Sequence, residues 1–185
     1  MTSGQRLFST ITFSSPLGWI LTAAGPEGIC LLHFCGPVQP SESQEQEIMG
    51  REYPGCKIKP DAPPPLLSET KKAVLEYLTH GTPLPPLPLD VSKGTPFRRK
   101  VWKALCDIPH GETRSYLDIS KAIGQPRASR AVGQACGSNP VAILIPCHRV
   151  LAVGGKLGGY TGGLDIKEAL LKLERGAGLG RSGNR

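Results

Sequence analysis

LFSTITFSSPLGWILTAAGPEGICLLHF, residues 7–34, decides the architecture of the first half of this chain. Ser9 to Phe13 alternates polar and apolar side chains, the period of a half-buried strand. Ser15-Pro16-Leu17-Gly18 is a turn cluster, and Trp19 to Ala24 is an apolar run. Gly25-Pro26-Glu27-Gly28 turns the chain again into Ile29-Cys30-Leu31-Leu32-His33-Phe34. Three short strands joined by tight turns predict a small antiparallel sheet.

Downstream, Gly36 to Pro65 is polar, without periodicity, and reads as a long loop. Leu66 to Thr79 reads as a helix: Leu67, Val74, Leu75 and Leu78 share one face, and Gly81 follows as a stop. Four prolines lie between Thr82 and Leu89, the composition of an extended connector. Charge changes sign near residue 90. Residues 1–90 hold 6 Lys+Arg against 9 Asp+Glu, whereas residues 91–185 hold 16 against 6. The expected organisation is an N-terminal α+β domain over 1–82, a Pro-rich linker over 83–92, a C-terminal domain over 93–176 and a flexible tail over 177–185.

The second half is helical in pattern. Thr95-Pro96 supplies a cap and a first-turn proline, and Phe97, Val101, Trp102 and Leu105 give the helix an apolar face. Ser115 caps a short helix through Ile123, and Arg127 to Cys136 forms another after Gly124-Gln125-Pro126. This pair has helix-turn-helix proportions, although an ordinary αα-hairpin has the same spacing. Asn139-Pro140 ends the second helix, and Val141 to Ile145 has the composition of a buried strand. Glycine pairs at 154–155 and 158–159 mark turns, and Ile166 to Leu173 reads as a closing helix.

Composition restricts the function classes. At 185 residues, with 39% hydrophobic and 20% charged residues, the chain reads as a soluble globular protein able to bury its own core. No apolar run approaches the roughly 20 residues that span a bilayer, so no membrane partner is expected. Met1 to Ser9 lacks the charged-then-apolar order of an export signal, and an intracellular location is expected. The six cysteines then read as reduced thiols. A net charge of +7, concentrated in the second half, suits a polyanion partner, though many soluble surfaces are basic.

Chemistry gathers at Pro146-Cys147-His148-Arg149-Val150, where an apolar run ends in a thiol, an imidazole and a guanidinium. Positive neighbours favour a thiolate and can lower a free cysteine from about 8.5 by one to several units. The bland alternative is a structural cysteine beside a histidine exposed by strand alternation. Glu174, at the end of the last helix, could orient His148 as a third group orients a catalytic base, or be a solvated helix-end glutamate.

Arg130-Ala131-Val132-Gly133, Asn139-Pro140 and Ile143-Leu144-Ile145-Pro146-Cys147-His148-Arg149-Val150 together resemble the O6-alkylguanine-DNA alkyltransferases. Supporting pieces follow in that family's order: Gly94-Thr95-Pro96-Phe97, Val101-Trp102, Ile108-Pro109 with Gly111-Glu112, Ser115-Tyr116 and Gly158-Gly159-Tyr160-Thr161-Gly162-Gly163-Leu164. The likeness is strong over about residues 90–174. Before that it rests on Ser15-Pro16-Leu17-Gly18 and the strand pattern.

The resemblance implies an α+β fold: a small antiparallel, RNase H-like sheet with a helix, then a mostly helical part holding a helix-turn-helix and the active-site loop. It implies single-turnover transfer of an alkyl group from O6-alkylguanine in duplex DNA to Cys147, with O4-alkylthymine left open as a second substrate. His148, through a water and Glu174, would remove the thiol proton, and Asn139 would brace the active-site turn. Tyr160 would assist guanine as leaving group. Arg130 would fill the place of the flipped-out base, and Tyr116 would crowd the 3′ phosphate. Arg127 and Ala128 open the helix that would enter the minor groove. Thr161 would sit where a backbone N–H approaches the O6 atom, Gly162 beside it would belong to the substrate-binding residues, and Val150 and Cys147 would offer carbonyls to the exocyclic amine. The partner is double-stranded DNA, the protein a monomer, its place the bacterial nucleoid or the eukaryotic nucleus. The alternative is a sensor that binds alkylated bases without reacting; such relatives lack the cysteine, which this chain keeps.

Two departures stand out. His110 replaces the more usual aromatic or small residue between Pro109 and Gly111, with no functional effect expected, and the loop at 36–65 is long. Some family members carry a structural zinc in the first half, and Cys30, His33 and Cys35, with Cys56 or His80, invite the idea. Alternation puts Cys30 on the face opposite His33 and Cys35, so filler cysteine and no cofactor are expected.

Overall fold

A computed structural model describes residues 6–59 and 62–176; the tail expected over 177–185 lies outside them. The first strands form as the alternation predicts. β1 (Leu7–Ser15), β2 (Gly18–Gly25) and β3 (Gly28–Gly36) make an antiparallel meander. A short β4 (Lys57–Ile58) pairs parallel to β1, giving the order β3-β2-β1-β4.

Residues 36–65 are not one long loop. They contain α1 (Glu42–Glu52), started by a reciprocal capping box in which Ser41 Oγ accepts from Gln44 N–H and the Gln44 side chain accepts from Ser41 N–H. Glu42 and Glu45 favour its first turn and Arg51 its last. Met49 of α1 and Tyr53 just beyond it close over Phe8, Leu21, Ala23, Cys30 and Leu31 as a second apolar cluster on one face of the sheet.

The other face of the sheet joins the main core. Phe13, Ile20, Ile29 and Leu32 pack there with Val74, Tyr77 and Leu78 of α2 (Pro65–His80). The same core continues through Val101, Trp102 and Leu105 of α3 (Pro96–Cys106) to Val132 and Ala135, and on to Leu170 and Leu173. Each such aliphatic side chain contributes roughly 1.5–3 kcal/mol relative to exposure.

Strand alternation breaks at Cys30. Ala24 pairs with Ile29 and Ala23 with Leu31, so Cys30 sits in a β-bulge. The bulge sends Cys30 and Leu31 into the same outer cluster, against which Cys35 also packs. Cys30 therefore shares a side with Cys35, contrary to the simple alternation. Among the described residues no group of three or more His, Cys, Asp or Glu is placed to hold a metal ion.

The outer edge of β3 is where the two halves meet. Ile29 N–H donates to Pro88 O (2.8 Å) and Asp90 N–H to Ile29 O (2.8 Å), so the proline-rich connector is laid along the sheet. Farther along the same edge, Leu32 N–H donates to Pro140 O (2.9 Å) and Ala142 N–H to Leu32 O (3.1 Å). An open edge is thereby covered, and the segment leading to Cys147 is pinned to a rigid strand.

In the second half, a two-residue strand β5 (Arg114–Ser115) precedes α4 (Tyr116–Ala122), which Ser115 and Asp118 start with a second capping box. After a turn comes α5 (Ser129–Gly137), fixed to α3 by Trp102 Nε1–H donating to Ala135 O at 2.8 Å. β6 (Val150–Leu151) pairs parallel to β5, and α6 (Leu164–Glu174) closes the molecule. None of the helices is long and apolar enough to cross a membrane, among the described residues.

Candidate active site

Val141 to Ile145 packs inward, with Val141, Ile143 and Ile145 buried and Ala142 and Leu144 half-buried, but it is not a strand. Only Val141 bridges to β3. Ile143 then takes φ 68°, a left-handed backbone that a β-branched residue adopts only under tertiary constraint. The chain winds through this point with Ile145 N–H donating to Val141 O at 3.0 Å. Val141, Ile143 and Ile145 enter the core, and Cys147 opens a 3-10 turn over Cys147–Arg149.

Asn139 holds that winding together. Its Oδ1 accepts from Val141 N–H (3.0 Å), and its Nδ2 donates both to Ile145 O (2.8 Å) and to Cys147 Sγ (3.1 Å). Cys147 is buried. Burial raises the ionisation of its thiol above the ordinary value, and the Asn139 bond and the Lys167 charge offset this only in part. The expectation of a lowered value is thus overturned: the resting group is a thiol.

His148 is fully buried, and its Nε2 lies 2.9 Å from Glu174 Oε1. Burial lowers the imidazole below its usual range, against the pull of Glu174. The ring is therefore neutral, with Nε2–H donating to Glu174 by this argument. Nδ1 is then the lone-pair nitrogen, and it has no hydrogen-bond partner among the described residues.

Glu174 is the most heavily served carboxylate of the site. Tyr77 Oη–H donates to its Oε1 (2.6 Å), Arg149 Nε–H and Nη2–H donate at 2.9 and 2.8 Å, and Gly111 N–H reaches Oε2 (3.1 Å). Burial alone would raise this carboxyl; bonds from His148 and Arg149 outweigh it and hold the group well below the carboxylate range. The solvated helix-end alternative is excluded. His110 Nδ1 stands 3.8 Å from Glu174 Oε1, so the departure at residue 110 borders the cluster.

Other expected residues stand around the loop that follows. Tyr160 has a phenol without a hydrogen-bond partner among the described residues, and burial holds it well above its ordinary ionisation, so it stays protonated. A Cβ on Gly162 would meet Tyr160 Cε1 at 3.0 Å and Phe34 Cδ2 at 3.2 Å, so the tyrosine packs where only glycine leaves room. Thr161 Oγ1–H donates to Gly137 O at 3.0 Å, tying the loop to the end of α5. Val150 is buried, and its carbonyl accepts from Lys167. Tyr116 and Arg130 line a shallow apolar groove of about 490 Å³ with Leu117, Gly133 and Val153. Arg127 is exposed and lies outside that groove's lining, and Ala128 is the N-cap of α5.

Tyr77 and Lys167 carry no sequence signal of a role, and Arg149 none beyond its charge. Tyr77 follows Val74 by three on the buried face of α2, the one signal that it points inward. Lys167 is fully buried in α6, with Nζ donating to Val150 O (2.7 Å), Gly159 O (3.3 Å) and Leu157 O. Three carbonyls satisfy an ammonium group, and here they anchor both ends of the 150–159 loop.

The chain is similar to known proteins in sequence and in fold. Residues 96–176 match the family described as 6-O-methylguanine DNA methyltransferase, DNA binding domain. A methylated-DNA–protein-cysteine methyltransferase of Methanosarcina acetivorans is 41% identical over 162 residues, covering 88% of this chain and 95% of that protein. The chain belongs to that methyltransferase family. A relative of the same description from Methanosarcina barkeri is 65% identical, over 82 residues that cover 44% of this chain and 52% of the relative. The solved Mycobacterium tuberculosis O6-methylguanine methyltransferase superposes with a TM-score of 0.74 at 37% identity, covering 92% of this chain and 94% of that one. The same organism's protein in complex with DNA gives 0.73 at 37% identity, over 93% and 94%. The methyltransferase relatives thus match both halves, with the higher identity in a segment less than half the chain long.

Proposed function

We propose that the protein reverses DNA alkylation by moving the alkyl group from O6 of guanine to Cys147 Sγ, once per molecule. The observation that carries this reading is the buried thiol held by Asn139 beside a neutral His148 that is anchored through Nε2 to Glu174. The thiol proton passes to His148 Nδ1 through a bridging water, and Glu174 stabilises the imidazolium formed. The thiolate attacks the alkyl carbon, so an S–C bond forms and the C–O6 bond breaks. The electron pair returns to the purine, which takes up a proton to leave guanine. Tyr160 donates a hydrogen bond to the leaving base. The thioether has no hydrolytic exit, so the protein is spent.

The target lies inside a stacked duplex, and extruding it costs a few kcal/mol. In this reading α4 and α5 act as a helix-turn-helix in the minor groove, with Arg127 and Ala128 at its entry. Arg130 fills the vacated stack and Tyr116 crowds the 3′ phosphate. Thr161 and Gly162 line the O6 side. The carbonyls of Val150 and Cys147 accept from the exocyclic amine; Val150 O has a second lone pair beside the one Lys167 uses. A binding-only role makes no use of the buried Cys147 thiol.

Intact-protein mass spectrometry after incubation with a duplex holding one O6-methylguanine tests the proposal. The expected result is a gain of one methyl on Cys147, absent in Cys147→Ala. No gain with tight lesion binding would assign a sensor instead; no gain and no binding would leave only the shared fold.

A further inference from the structure

A groove of about 830 Å³ runs between β3, the end of α1, the start of α3 and the 137–142 and 161–162 segments. It lies apart from the Tyr116–Arg130 groove and shares no lining residue with it. Its charge is one-sided. Arg51 from α1, Arg98 from α3 and Lys93 line it, and Glu52 is the one carboxylate among the lining residues. Lys93 is bonded to Glu52, which neutralises that pair. Arg51 and Arg98 are both exposed and form no ion pair with any described residue. His33, on the groove's wall, is held below its ordinary ionisation first by burial and then by the Arg51 charge, so the positive charge of the groove comes from the arginines and not from the imidazole.

Two unpaired guanidinium groups, one from each of two helices, lining one concavity concentrate positive potential there. Guanidinium forks match phosphate oxygens in geometry as well as in charge. The first turn of α3 opens beside Arg98 and adds a partial positive charge. The groove also reaches Asn139, Thr161 and Gly162, which ties it to the rim of the active site.

We propose that this groove is a second contact for the DNA backbone, in which Arg51 and Arg98 hold phosphodiester groups of duplex flanking the lesion. The inference rests on the DNA-repair reading above and extends it: the N-terminal half, acidic overall, contributes one arginine to the footprint. Neither arginine touches the reacting atoms, so both act by positioning the duplex.

The test is salt-dependent binding of an undamaged duplex. Each phosphate neutralised adds about 0.9 to the slope of log affinity against log salt. The Arg51→Gln/Arg98→Gln double variant should therefore show a slope shallower by about 2 and bind roughly tenfold more weakly at low salt. Lys59→Gln/Lys72→Gln removes the same charge from exposed positions outside the groove and should leave the slope as in wild type. On progressively shorter duplexes the arginine effect should fade as the DNA ceases to reach the groove.

An unchanged slope in the arginine variant, or an equal fall in the lysine variant, overturns the proposal. A defect that appears only on DNA long enough for two copies, and tracks the number bound, assigns the groove to a protein neighbour and also overturns it. Wild-type methyl gain measured in parallel keeps the two readings apart. Methyl gain with an unaltered slope rejects the groove alone, and an altered slope without methyl gain rejects the reaction alone.

Discussion

Cys30 and Cys147 are both buried thiols beside a tyrosine-bearing cluster, and burial pushes both above the ordinary cysteine range, Cys30 to about 11. Their surroundings then diverge. Cys30 Sγ donates to Ala23 O at 3.4 Å, within apolar neighbours such as Phe8, Leu21 and Met49. Cys147 Sγ accepts, from Asn139 Nδ2 at 3.1 Å. A bond donated by the thiol stabilises its protonated form, whereas a bond received stabilises the thiolate. The tyrosines diverge likewise: Tyr53 Oη–H donates to the Cys30 carbonyl, and Tyr77 Oη–H donates to the Glu174 carboxylate. Burial alone does not mark a nucleophile. In the proposed mechanism the direction of the hydrogen bond at sulfur does, together with a base whose second nitrogen is committed elsewhere.

The contrast is broken most severely by removing the carboxylate that organises the C-terminal cluster. Glu174→Ala leaves Arg149, His148 and Tyr77 buried without their acceptor, and should cost about 3–5 kcal/mol in urea unfolding. Methyl transfer should fall with it, since His148 loses its anchor. Glu174→Gln keeps the shape and should recover part of the stability but little of the rate, because a neutral amide cannot stabilise an imidazolium. Equal rates in Glu174→Gln and wild type would remove Glu174 from the mechanism.

Acid should act on the same cluster with a fixed sign. His148 is held below its ordinary value by burial, so the unfolded chain takes up a proton there before the folded protein does. Its contribution to stability is complete above about pH 6.5 and is lost as pH falls below that. Glu174 is also depressed when folded, and its contribution is lost further down, as pH falls below about 4.3. The urea midpoint should therefore decline from pH 7 to pH 5 in wild type, and the decline should flatten in His148→Gln. A midpoint that rises on acidification would contradict a neutral buried imidazole.

Much of this was legible in the chain itself, for reasons that differ by region. The meander follows from alternation and turn residues within ten positions of each other, and the Pro146-to-Val150 string carries its chemistry in consecutive residues. α1 does not show as a periodic face because Ile48 and Met49 are its only large apolar residues, and its signal is the Ser41–Gln44 cap. Val141 to Ile145 has the composition of a strand but is wound by Asn139, whose three bonds no composition encodes. The Cys30 bulge depends on which strand positions pair. Tyr77 and Glu174 lie 97 residues apart, and Lys167 meets carbonyls on a separate loop, so their roles exist only once the chain has folded.

The smallest effect expected is the most direct check on the contrast between the thiols. Cys30→Ala deletes one buried sulfur from the outer cluster and breaks one weak bond to Ala23 O. The loss should be about 1 kcal/mol, the ordinary size for a point change that leaves no buried charge behind. The cluster is separated from Cys147 by the thickness of the sheet, since Leu32 and Ile29 face the main core while Cys30 and Leu31 face α1. Single-turnover methyl transfer should therefore stay within about twofold of wild type, the order expected of distant sites that share no partner. A transfer rate that falls in step with stability would mean that the sheet reports its packing to the active site through the Leu32–Pro140 and Leu32–Ala142 bonds. In that case the edge of β3 is part of the catalytic framework, and the two thiols differ in distance from the chemistry rather than in kind.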